Sequence, residues 1–201
     1  MSLKMIEVIQ IGIKDTGKEA SASINRNHAL DRSNGDIIVM VDDDVSGFYP
    51  LWIVDLTQPL DEDEDIALVS ARLIDENGRP APMMGGDVPF DKKIHDVVPS
   101  EYKHYRRVTT AAIAFRKTDL RFDENFMGCG YEDTDWMNRF NEANPGKRIV
   151  INNACRLIHG NEMKNQGGKF WEHNKAYYLS LYPDDKTVIR QKDWTLAKQN
   201  I

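Results

Sequence analysis

The chain has 201 residues and a mass of 23.0 kDa, enough for one globular domain with a real core. Hydrophobic residues at 41% and charged residues at 29% exclude a disordered chain, and a formal net charge of −6 argues against a non-specific nucleic-acid binder, whose affinity rests on a basic surface. Cys129 and Cys155 cannot build a disulfide framework and lack metal-ligand spacing, no apolar run approaches the roughly 20 residues of a membrane span, and the first residues lack a signal-peptide pattern, so a cytoplasmic protein with free thiols is expected.

Met5 to Ile11 is a short apolar run of strand length, and Gly17 to Leu30 reads as a helix. Asn34-Gly35 marks a turn. Asp36 to Val41 is a continuous β-rich apolar run, the pattern of a strand covered on both faces, and it leads straight into Asp42-Asp43-Asp44. Pro50 to Leu60 reads as a helix and Ile66 to Ala71 as the next strand. Asn77 to Arg107 has little periodicity; a loop of this length is usually functional, and its Lys103, Arg106 and Arg107 fit either a solvated basic stretch or an anion-facing flap. Val108 to Phe115 returns to strand character, Glu132 to Ala143 reads as a helix, Arg148 to Asn152 as a strand, and Phe170 to Leu181 as a terminal helix. Strands alternating with helices predict an α/β layered domain with a mostly parallel central sheet, in which ligands bind at the carboxyl ends of strands. Asp42 to Asp44 occupy such an end.

Three adjacent carboxylates after a buried strand repel one another unless a cation or several donors compensate. Hard oxygen ligands there suit Mg²⁺ or Mn²⁺, with coordination positions left for phosphate oxygens and water. A solvated acidic turn, as Asp61 to Asp65 is read to be, accounts for the same residues, and spacing alone leaves both open. A calcium loop does not fit: Asp42, Asp44, Ser46 and Gly47 match its early positions, but Ile53 stands where the bidentate Glu is needed.

Three ordered segments resemble one family. Ala22 to Val45 (ASINRNHALDRSNGDIIVMVDDDV) resembles the family 2 type of GT-A glycosyltransferases, in which a small-residue helix with Arg-Asn precedes Gly-Asp, an apolar strand and a DxD motif. Phe122-Asp123-Glu124-Asn125-Phe126, followed by Glu132-Asp133-Thr134-Asp135-Trp136 and Arg139, is similar to the family's downstream acidic signature. His159, after the strand at Arg148 to Asn152, is the third match. Ordered matches over this span are more specific than any one motif.

The resemblance implies a single GT-A, Rossmann-like domain over 1–201. Residues 1–75 would form the nucleotide and metal half, 108–165 the acceptor and catalytic half, and 166–201 a helical end. It implies Asp42 and Asp44 as the DxD carboxylates of the metal site, Asp44 as the direct ligand and Asp42 nearer the nucleotide's ribose, with His159 as a third metal contact. Arg26, Asn27, Asp42, Asp43 and Asp44 would bind the nucleotide-sugar donor, UDP-sugar above all. Asp133 would be the general base, with Glu132 orienting it or the acceptor. The implied reaction is metal-dependent, inverting sugar transfer to an unknown acceptor hydroxyl. The family's first two strands have no evident counterpart, which predicts an N-terminally shortened sheet and leaves a non-catalytic nucleotide-sugar binding protein as the alternative.

Overall fold

The computed structural model describes residues 4–11, 21–80, 92–97, 107–159 and 170–185. In chain order the elements are β1 (Ile6–Ile11), α1 (Ala22–Arg32), β2 (Ile37–Asp42), β3 (Val45–Ser46), α2 (Trp52–Glu62) and β4 (Ile66–Ile74). There follow β5 (Ile94–Asp96), β6 (Ala112–Arg116), α3 (Glu132–Ala143), β7 (Arg148–His159) and α4 (Trp171–Leu181).

The described strands form one sheet in the order β1-β2-β6-β4-β7-β3, with β5 on β7. The expected α/β domain with a central sheet flanked by helices is present. Its four long strands β1, β2, β4 and β7 share one direction, since β1 is parallel to β2, β4 is parallel to β7, and both β2 and β4 are antiparallel to β6. The shorter strands β3, β5 and β6 run against these four, so the sheet is mixed. β6 lies between β2 and β4 and runs antiparallel to both. That insertion interleaves strands from the two segments 1–75 and 108–165 in one sheet.

β2 explains why the acidic turn is held firmly. Ile37, Val39 and Met40 are fully buried and Ile38 and Val41 nearly so, each contributing about 1.5–3 kcal/mol of hydrophobic stabilisation. The core around them includes Leu30 of α1, Leu56 and Leu60 of α2, and Trp136, Met137 and Phe140 of α3. Continuous burial along a strand requires cover on both faces, as its sequence predicted.

Helix boundaries follow local chemistry. The helix expected from Gly17 begins, in the described residues, at Ala22, where the Ser21 hydroxyl accepts from Ile24 N at 3.2 Å; residues 12–20 lie outside the description. α2 holds Pro59 in its interior, which removes the bond that Asp55 O would receive. The Asn152 side-chain amide, reaching in from β7, donates to that carbonyl. An acceptor orphaned by sequence is thus satisfied by a tertiary partner. The acidic run that ends α2 and follows it is a solvated, ion-paired face: Asp61 meets Lys4, Asp63 meets Arg148 and Asp65 meets Lys147.

Candidate functional site

The site forms where β2 ends. After Asp42 the chain turns through Asp43 and Asp44 into β3, and Asp43 N donates to Ile11 O at 2.9 Å. β3 pairs antiparallel with the last residues of β7, Val45 opposite His159 and Ser46 opposite Ile158. This register sets His159 Nε2 3.5 Å from Asp44 Oδ1. Asp42, Asp44 and His159 each offer a ligand atom, and the three atoms lie within 4.8 Å of one another.

β7 was expected to stop at Asn152. It continues to His159 because its register on β4 jumps, with Ala71 opposite Asn152 and Arg72 opposite Arg156. The irregularity inserts Asn153 to Cys155 as extra length, and the second half of the strand then delivers His159 to the acidic turn.

The hydrogen bond between Asp44 and His159 raises the imidazole's pKa above its ordinary value and lowers that of the carboxyl. Burial pushes Asp42 upward, against the pull of the Arg26 guanidinium. Two carboxylate oxygens and an imidazole nitrogen are a donor set for Mn²⁺ or Mg²⁺. Ligands on opposite sides of an ion with bonds of about 2.1 Å sit about 4.2 Å apart, so small side-chain movements close the cluster. Asp43 is exposed and lies outside this group.

Arg26, expected beside the nucleotide, is buried between the two acidic motifs. Its Nη1 donates to Glu132 Oε1 at 2.9 Å, and its Nη2 donates to Asp42 Oδ2 at 3.1 Å and Oδ1 at 3.2 Å. The guanidinium also lies 5.2 Å from the centre of the Phe122 ring. Burial pushes the Glu132 carboxyl up and Asp133 adds to the effect, while Arg26 opposes both. Asn27 turns to different partners again. Its amide donates to Phe122 O and Glu124 Oε1 and accepts from Phe122 N at 2.7 Å, tying α1 to the segment after β6. Sequence reasoning gave both to the nucleotide and named none of these partners, because the bonds to Glu132, Phe122 and Glu124 join residues about a hundred positions apart.

Asp133 stands in the first turn of α3, half-buried, and its carboxylate accepts from Thr134 Oγ1 at 3.2 Å. The loop before it is tightly held. Tyr131 takes a left-handed φ of 70°, and Gly130 has φ 110° and packs so closely on the Trp171 indole that a Cβ there would lie 2.9 Å from it. Gly130 N donates to Glu132 Oε2. From α4 the fully buried Asn174 accepts from Met127 N at 2.9 Å and donates to Met127 O, Cys129 O and Gly130 O. Ala22 N at the start of α1 donates to Gly128 O at 2.7 Å. α4 therefore holds the loop that leads into Glu132 and Asp133, a role its sequence did not signal.

Of the basic residues given to a flap, Lys103 and Arg106 lie outside the described residues. Arg107 is buried, donating to Asp185 at 2.6 Å, Tyr178 Oη at 2.7 Å and Asn138 Oδ1 at 2.8 Å, so it joins α3 to the residues after α4 and faces no anion in solvent. Cys129 is exposed and Cys155 buried, both as free thiols. Among the described residues no helix is long and apolar enough to cross a membrane.

A mixed sheet with a carboxylate turn at the end of a buried strand, backed by a helix that opens on further acidic residues, is the GT-A fold of nucleotide-sugar glycosyltransferases. The model for glycosyl transferase family 2 matches residues 7–126, more than half of the chain, and the chain belongs to that family. The match stops short of Glu132, Asp133 and His159.

Solved structures share the fold. Glucosyl-3-phosphoglycerate synthase from Mycobacterium tuberculosis, in complex with Mn²⁺, UDP-glucose and phosphoglyceric acid, aligns with a TM-score of 0.51 at 20% identity, over 80% of this chain and 54% of that one. S. aureus TarS 1–349 in complex with UDP aligns with a TM-score of 0.52 at 18% identity, over 71% and 40%. A mycobacterial protein aligns with a TM-score of 0.51 at 17% identity, over 80% and 51%. The chain thus spans about half, or less, of the solved chains it resembles. No curated protein matches it.

Proposed function

We propose that this protein transfers a sugar from a UDP-sugar to an acceptor hydroxyl with inversion, Asp42, Asp44 and His159 holding Mn²⁺ or Mg²⁺ and Asp133 acting as general base. The observation that carries this reading is the convergence of those three ligand atoms at the carboxyl end of β2. Family membership supports the sugar-transfer chemistry, and UDP accompanies two of the structures that share the fold. The ion would supply positive charge against the departing diphosphate.

Asp133 takes the proton from the acceptor hydroxyl as that oxygen bonds to the anomeric carbon and the carbon–diphosphate bond breaks. A positioned base of this kind contributes about 10²–10⁴-fold to the rate. Glu132, with one oxygen on Arg26 and the other on Gly130 N, orients the start of α3 and leaves the base role to its neighbour. Asp43, exposed beside the cluster, is assigned to the donor side. The two free thiols fit a cytoplasmic setting.

Calorimetry with UDP, with and without Mn²⁺, tests the binding step. Wild type should bind UDP in a Mn²⁺-dependent manner and Asp44→Ala should lose that dependence with its fold intact; equal affinity in the two proteins refutes the metal assignment. Transfer or hydrolysis of the donor, compared with Asp133→Asn, tests catalysis. If the variant binds UDP and turns over as wild type does, Asp133 is not the base. Nucleotide binding without turnover in wild type would mark a binding protein.

A further inference from the structure

We propose that Arg26 is a positioning residue that couples capture of the cation at Asp42 to the placement of the loop that leads into Asp133. The inference rests on the metal reading given above and adds to it a connection between the donor and acceptor sides.

The geometry is a strut. Both Asp42 oxygens accept from the same Nη2 of Arg26, so a cation that takes either oxygen must share Asp42 with the guanidinium or draw it aside. The other arm of the fork is bonded to Glu132, and the far oxygen of Glu132 is bonded to Gly130 N. Arg26 and Glu132 side chains are only 7% and 6% exposed, so neither contact can be exchanged cheaply for water. Arg26 Nε is buried with no hydrogen-bond partner, leaving the two acidic groups and the Phe122 ring to hold the fork. A shift at Asp42 is therefore passed through a rigid, buried pair to the backbone two residues before Glu132. Arg26 is also a fixed positive charge beside the cation, opposing it, while Glu132 favours it.

Cys129 supplies a native reporter, being exposed and adjacent to Gly130, whereas Cys155 is buried. Mn²⁺ affinity is read from the free-ion signal in electron paramagnetic resonance, and the rate of Cys129 with a thiol reagent is read with and without Mg²⁺. In wild type, Mg²⁺ should change the Cys129 rate by about twofold or more, since a shift of the backbone at Gly130 changes the exposure and surroundings of the neighbouring thiol. Arg26→Gln should bind Mn²⁺ about tenfold more tightly through loss of the opposing charge, and Glu132→Gln more weakly, while both lose the Mg²⁺ response at Cys129. Arg26→Lys keeps the charge without the fork, and should bind Mn²⁺ within about twofold of wild type yet show no response, which serves if Arg26→Gln does not fold. A simple structural role would shift affinity in one direction for all three variants.

A folded Arg26 variant that binds cation and keeps the wild-type change at Cys129 overturns the coupling. So does a wild-type protein that binds Mn²⁺ with no change at Cys129, and in both cases the metal site itself stands. Failure of wild type to bind Mn²⁺ overturns the metal reading and this inference together.

Discussion

Gly130→Ala is the sharpest test of how the loop before α3 is built. At φ 110° the backbone is open to glycine and strained for any other residue, at a cost of about 1–3 kcal/mol. The new Cβ would lie 2.9 Å from the Trp171 ring, so the indole must shift, which disturbs its packing on Tyr131, whose ring centroid is now 4.8 Å from its own. Losing that aromatic contact adds about 0.5–1.5 kcal/mol. The sum is about 1.5–4.5 kcal/mol, or a fall in Tm of about 3–18 °C for a chain of this size. Gly146→Ala is the control: it shares a positive φ, 76°, but nothing lies within 4 Å of its Cβ, so left-handed strain alone costs about 1–2 kcal/mol. Thermal melts of both variants with Trp fluorescence measure the difference. Equal losses in the two, or a Gly130→Ala protein with unchanged Trp emission and Tm, would refute the claim that Trp171 is seated on a bare Cα.

Asn174→Ala should destabilise the protein by about 1–3 kcal/mol in urea melts, because part-buried backbone groups of Met127, Cys129 and Gly130 lose their partner. The same variant should speed hydrogen exchange in residues 127–131 ahead of the core strands; uniform exchange would count against a local clamp. Asp185→Asn should destabilise the protein by about 1–3 kcal/mol by replacing the carboxylate 2.6 Å from the buried Arg107 guanidinium with a neutral amide, whereas Lys4→Ala, which removes an exposed pair with Asp61, should change stability by less than about 1 kcal/mol. Burial tends to raise the Asp123 carboxyl, but bonds from Asn125 and from the Tyr177 hydroxyl of α4 outweigh it, and the group sits below its ordinary 3.8. The stabilisation is therefore complete above the unfolded value and disappears as pH falls through the lowered one. Acid titration of wild type against Asp123→Asn, followed by Trp fluorescence, should show a difference that closes in strong acid; a constant offset at every pH would exclude the linkage.

What the sequence determined by itself is local. The run from Asp36 to Val41 carries the strand, the following triplet marks its carboxyl end, and Glu132 to Ala143 forms the helix its spacing predicts, because hydrophobic periodicity and turn residues act over a few positions. The GT-A fold was legible from three such segments in order. Tertiary structure alone decided how they meet. A register jump in β7 lengthens the strand to His159, and pairing with β3 sets that imidazole against Asp44 across more than a hundred residues. Burial turns Arg26 from a helix charge into the link between Asp42 and Glu132, fixes Asn27 on Phe122, and takes Arg107 out of solvent. None of these follows from periodicity, since a side chain's partner is set by which buried donors and acceptors remain unsatisfied once the sheet has closed.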